Sequence, residues 1–118
     1  MREIKFRAWD EVHKQMLYIG LELDTHIGGP QEDLMQYTGL KDKNGVEIYE
    51  GDIVSMFQGT QLSEVFFSKG MFLVNRGFRA SVYHSELEIR EEILFNIIDT
   101  CEVIGNIYEN PELLEDTQ

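Results

Sequence analysis

The chain has a single cysteine, Cys101, among 118 residues. That excludes an internal disulfide framework and a metal site built from cysteines alone. The apolar neighbours of Cys101 predict a small buried core residue, not a reactive thiol. No apolar run approaches the roughly 20 residues that span a bilayer. The N-terminus, Met1-Arg-Glu-Ile-Lys-Phe-Arg7, is charged and alternating where a signal peptide would place its apolar region. These absences predict a protein that stays in the cytoplasm that makes it. Basic residues are also scarce, 10 against 22 acids, for a formal charge of -12. Duplex DNA repels such a chain before any contact forms, so general binding to phosphate backbones is disfavoured. The charge is uneven. Arg2, Lys5, Arg7 and Lys14 lie near the N-terminus, whereas from Glu86 onward Arg90 is the lone basic residue. This pattern serves solubility and offers an acidic face to a basic partner.

Catalytic patterns are missing as well. His13, His26 and His84 are scattered through turn-like stretches, without the paired spacing of metal ligands. Asp10, Asp42, Glu50 and Asp52 all fall at predicted turns, where carboxylates bond nearby backbone amides. The Asp42-Lys-Asn-Gly45 stretch is too short for a calcium loop and has no distal glutamate. No Gly-x-Ser-x-Gly elbow occurs, and Cys101 has no histidine close in sequence. Gly28-Gly-Pro30 lacks the following lysine of a phosphate loop. No catalytic, cofactor-binding or metal-binding residue is therefore assigned, and no cofactor is expected.

What the sequence does contain is β architecture. A hydrophobic fraction of 42% and an aromatic fraction of 11% suffice for one core, so residues 1–118 are read as one domain. The block Leu34–Val54 reads as strand, turn, strand, turn, strand. Asn44-Gly45 predicts a type I′ hairpin turn, and Glu50-Gly51-Asp52 a second turn. Asn44, Gly45, Gly51 and Asp52 are thus expected to be structural turn residues. Ile4–Trp9 alternates as a half-buried strand, with Gln15–Ile19 as its partner. Residues 20–33 read as a loop insertion, with Gly28-Gly-Pro30 inside it. Ile53–Phe57 is a strand, and Glu64–Ser68 and Met71–Val74 flank a Lys69-Gly70 hairpin. Phe78–Tyr83 suits a further short strand, and Ser85-Glu-Leu-Glu88 has the spacing of a capping box that opens a short helix. Glu91–Ile98 fits a buried helix and a strand equally well. Cys101–Tyr108 is the last strand, with Gly105 at a bulge. Asn110-Pro111 starts a short helical turn before an acidic tail at 115–118. Many short strands and little helix predict a mainly β protein, a small, strongly bent sheet or barrel.

Three segments together carry a family resemblance. They are Met1-Arg-Glu-Ile-Lys-Phe-Arg-Ala-Trp-Asp10, the Leu34–Val54 block, and Cys101-Glu-Val-Ile-Gly-Asn-Ile-Tyr-Glu-Asn-Pro-Glu-Leu-Leu114. In combination they resemble the YopX family of phage and prophage proteins. The resemblance implies an SH3-like β-barrel and a bacterial cytoplasm as its setting. It brings no biochemical activity and no functional residues to carry over. Residues 20–33 and 58–100 are the less typical stretches.

The leading expectation is a small, non-enzymatic module that binds a protein of the phage or its host, basic in character, or that self-associates. SH3-like barrels often present an aromatic groove to peptides. Trp9, Tyr18, Tyr37, Tyr49, Tyr83 and Tyr108 are candidates for one, although aromatics also dominate small β cores. Trp9 should face away from Ile4, Phe6 and Ala8, sharing its side with Lys5 and Arg7. The expected interaction surface is Lys5, Arg7, Trp9, Tyr37 and Tyr49. The alternative expectation is a nucleic-acid-binding barrel using Lys5, Arg7, Trp9 and Lys14 as a basic, aromatic patch. A hydrolase would need convergent carboxylates in a cleft.

Overall fold

The computed structural model describes residues 3–19, 33–77 and 89–115. The expected loop at 20–33, the strand Phe78–Tyr83, the capping box at Ser85 and the tail at 115–118 lie wholly or almost wholly outside them. Ten strands are described: β1 (Phe6–Asp10), β2 (Gln15–Ile19), β3 (Asp33–Lys41), β4 (Glu47–Tyr49), β5 (Asp52–Met56), β6 (Gln61–Glu64), β7 (Phe66–Ser68), β8 (Met71–Gly77), β9 (Ile89–Ile93) and β10 (Glu102–Asn106). A 3-10 helix spans Leu94–Ile97, and a single helical turn, α1, spans Glu112–Glu115. All strand pairings are antiparallel. They run β2-β1-β3-β4, β10-β5-β6 and β7-β8-β9, and together form a strongly curled half-barrel. The protein is mainly β, as expected.

The ambiguity over Glu91–Ile98 resolves into both readings. The segment ends β9 and then turns into the 3-10 helix, whose Leu94 and Ile97 are buried. These two side chains join Ile48, Val54, Met56, Val65, Val74 and Cys101 in the main core. Cys101 is fully buried, as expected.

Turn chemistry departs from expectation at one hairpin. Between β3 and β4 only Gly45 takes a left-handed φ, of 85°, while Asn44 does not. A type I′ turn needs both central residues there. Instead Gly45 N–H donates to Asp42 O at 3.0 Å, and Asp42 N–H donates to Val46 O at 2.9 Å. Glycine thus closes the turn as a bulge. The Asp42 carboxylate explains the choice. Its Oδ1 accepts from the amides of Asn44 and Val46, which fixes the chain before Asn44 needs a special conformation. The type I′ signature appears at Lys69-Gly70, where φ is 56° and 76° between paired Ser68 and Met71.

Gly51 is required where it stands. Its φ is 85°, and an added Cβ would lie 2.9 Å from Met35 Sδ. Its amide donates to Val65 O and its carbonyl accepts from Ile107, so it joins three segments. Gly51→Ala is expected to cost about 1–3 kcal/mol, measured by urea unfolding, from left-handed strain and the displaced Met35. A loss below about 0.5 kcal/mol would contradict this conformation.

β1 is more deeply enclosed than a half-buried strand. Arg7, Ala8 and Trp9 are all buried, so both faces are covered. The reason is its neighbours. β1 pairs with β2 on one edge and β3 on the other. Trp9 stacks on Tyr108 of the C-terminal segment at 5.6 Å and 13°. The last strand is kinked as expected, with its register shifting between Val103 and Gly105. α1 is the short helical turn expected, and the Asn110 side chain turns back to accept from the Asn106 amide at 3.2 Å.

Candidate functional site

The curl of the sheet leaves a cleft of about 380 Å³ where β1 and β2 meet the β4–β5 turn and the end of β10. Arg7 and Asp52 form its floor. Arg7 comes from β1 and Asp52 from the first position of β5, which Gly51 brings opposite it. One guanidinium nitrogen of Arg7 donates to Asp52 Oδ1 at 2.8 Å and to Glu50 O at 3.1 Å. Both side chains are only 4% exposed. The other carboxylate oxygen, Asp52 Oδ2, accepts from the Tyr49 amide at 2.7 Å. Burial pushes the Asp52 carboxyl above its ordinary range, while the Arg7 charge and the Tyr49 amide pull it back. The Arg7 guanidinium also lies over the Tyr49 ring, 4.7 Å from its centre. Its Nε is buried with no acceptor among the described residues.

One wall is aromatic and acidic. Tyr18 projects from β2, 65% exposed, and meets Tyr49 edge to face at 5.7 Å and 74°. Glu47 and Val46 continue this wall. The opposite wall is Val103, Gly105, Asn106, Glu109 and Asn110. Asn106 holds it rigid. Its Oδ1 accepts from the amides of Tyr108 and Glu109, and its Nδ2 donates to Glu109 Oε1 at 2.7 Å. Gly105 permits the close return of Asn110, whose Oδ1 would lie 2.5 Å from any Cβ there.

The expected interaction surface is largely not a surface. Trp9, Tyr37 and Tyr49 are each 4–5% exposed, and Arg7 is buried with them. The aromatics went to the core because the C-terminal segment and the β4–β5 turn cover the side of β1 opposite Ala8. Lys5 is half-buried, bound to Glu47 and placed 4.8 Å from the centre of the Tyr37 ring. The Glu47 hydrogen bond raises the Lys5 ammonium above its ordinary pKa. Burial and the nearby Glu47 charge raise the Tyr37 and Tyr49 hydroxyls. Lys14 pairs with Glu11. The basic, aromatic patch of the nucleic-acid expectation is thus dispersed: two members are buried and two are paired with acids. Of the five expected residues, Arg7 and Tyr49 do reach the cleft.

The turn acids behave as expected. Asp10 accepts from the amides of Val12 and His13, and Glu50 from the amide of Gln36. Within the cleft, Glu47 is engaged by Lys5, Asp52 by Arg7 and Glu109 by Asn106. His26 and His84 lie outside the described residues, while exposed His13 contacts Asp10 at 2.7 Å. Among the described residues no group of three or more His, Cys, Asp or Glu side chains could hold a metal ion. Nor is any described helix long and apolar enough to cross a membrane.

Cys101 belongs to the core, away from this chemistry. Burial pushes its thiol up to about 11, with the Asp42 charge adding to the shift. At pH 8 only about one molecule in a thousand would carry the reactive thiolate. Alkylation of the native protein is therefore expected to be negligible until urea unfolds it, the two transitions coinciding. Labelling as fast before unfolding as after it would contradict the burial.

Sequence reasoning named Tyr18 among six groove aromatics without singling it out, and missed Glu47, Asn106, Glu109 and Asn110 as cleft residues. Asn106 and Asn110 carried a signal in the turn composition Gly105-Asn106 and Asn110-Pro111.

No curated protein matches the chain. Among solved structures, the crystal structure of protein EF1440 from Enterococcus faecalis is similar, with 31% identity and a TM-score of 0.65. The likeness covers 97% of this chain and 99% of that one. A family model described as YopX protein matches residues 20–115, most of the half-barrel that frames the cleft, and the chain belongs to the YopX family.

Proposed function

We propose that this protein is a small, non-enzymatic interaction module that binds a basic protein through the cleft and its rim. Its half-barrel is a variant of the SH3-like architecture, and it works in the cytoplasm of a bacterium that carries the phage or prophage encoding it. The observation that carries this reading is how the cleft spends its polar groups. Asp52, Asn106 and Asn110 are occupied by bonds that hold the fold. What remains at the rim is contact surface: exposed Tyr18, exposed Val46 and acidic Glu109. Aromatic anchors with an acidic surround favour a basic partner and speed encounter at low salt.

The test compares the wild-type chain with Tyr18→Ala/Val46→Ser as bait in bacterial lysate, at low and moderate salt. The expected result is a stoichiometric basic protein that salt releases and that the variant fails to retain. Equal retention by both baits would reject the cleft. Retention of nuclease-sensitive nucleic acid would favour the alternative, a nucleic-acid-binding barrel. Light scattering that shows only a self-associated chain would make the partner a second copy.

A further inference from the structure

We infer that the cleft is a receptor for one arginine side chain, carried on an extended basic segment of the partner; this rests on the interaction-module reading above. Two observations converge on that ligand. First, the lining is anionic. Glu47, Asp52 and Glu109 face a single cationic lining residue, Arg7. Arg7 takes the Asp52 charge at 2.8 Å and Lys5 takes that of Glu47, which leaves Glu109, bonded to Asn106, as the cleft carboxylate with no cationic partner among the described residues. Second, Tyr18 is two-thirds exposed beside Tyr49 and offers the cleft an aromatic surface. The fold already uses this chemistry once: Arg7 lies over the Tyr49 ring at 4.7 Å, within the range of cation–π attraction. A planar guanidinium suits this position better than an ammonium, because it can stack on the ring and still donate to carboxylates at its edge.

The cleft volume of about 380 Å³ lies at the small end of ligand sites and accommodates one long side chain with its backbone. Val46 and Val103 provide apolar walls for the methylene stem.

The test is an amide NMR titration of the full chain with N-acetyl-arginine-methylamide. The citrulline analogue serves as control, since it keeps the shape and lacks the charge. Saturable shifts are expected at Tyr18, Val46, Val103 and Glu109, with arginine at least about tenfold tighter than citrulline. Tyr18→Ala and Glu109→Gln, both at exposed positions, should each weaken arginine binding about fivefold and leave the remaining spectrum unchanged. Equal binding of citrulline, shifts centred elsewhere, or no shift at about 50 mM ligand would overturn the inference. Capture of a protein that Tyr18→Ala/Val46→Ser abolishes would still stand in that case, which separates failure of the arginine receptor from failure of the module.

Discussion

Arg7→Met is expected to lower the stability of the protein by about 3–5 kcal/mol, the typical result of leaving a buried charge without its partner. Asp52 keeps the Tyr49 amide but loses its counter-charge, in a site where each side chain is only 4% exposed. Tyr49 loses the guanidinium over its ring as well. At roughly 4 °C per kcal/mol for a domain near this size, the melting temperature should fall by about 12–20 °C. Arg7→Met with Asp52→Asn should recover at least half of the loss, because the asparagine oxygen can still accept from Tyr49 and no charge remains buried. A double-mutant cycle by urea unfolding reads the coupling directly. Coupling near zero would mean that the pair does not form in solution.

The second large effect is expected at Asp42. Its carboxylate accepts three backbone amides: Asn44 and Val46 on Oδ1, and Val103 on Oδ2. The first two set the β3–β4 turn. The third reaches a strand 61 positions away and ties that turn to β10. Asp42→Ala should cost about 3 kcal/mol, since amides in a partly buried region lose their acceptors. Asp42→Asn keeps one oxygen, so it should cost less. Hydrogen exchange distinguishes the two roles. In the asparagine variant, protection should fall at Val103 while the turn amides keep theirs. Unchanged protection at Val103 in the alanine variant would exclude the clasp.

These predictions mark what the sequence could and could not convey. Alternation and glycine punctuation placed β1, β2, β3, β5 and the Gly105 bulge, because such signals are local and follow from backbone geometry. Asp42 was legible as a turn acid, but its bond to Val103 was not, since nothing local links positions 42 and 103. The fate of Trp9 depended on the same distance. Its side of β1 would be solvent in an isolated hairpin, and Tyr108 covers it only after the chain has come back. Arg7 looked like a surface cation for the same reason: its counter-charge lies 45 residues away. The Asn44-Gly45 turn misled because the side chain of Asp42 competes with intrinsic turn preference. Tyr18 was named among six aromatics, and only its place on β2, beside a cleft closed by two distant segments, set it apart.

The two aspartates that receive these long-range donors both sit in the central meander from β3 to β6. Asp52 takes Arg7 from the N-terminal strand, and Asp42 takes Val103 from the C-terminal one. The meander itself is built from neighbours in sequence, as is the β1–β2 hairpin, whereas the docking of β1 on β3 and of β10 on β5 must close loops of tens of residues. Loop closure of that length slows folding, so local hairpins should assemble early and the flanking strands late. In kinetic terms, changes at Arg7 and Val103 should mainly speed unfolding, whereas changes in the meander should slow folding. The cleft, framed by both flanking strands, would then be among the last features of the molecule to form.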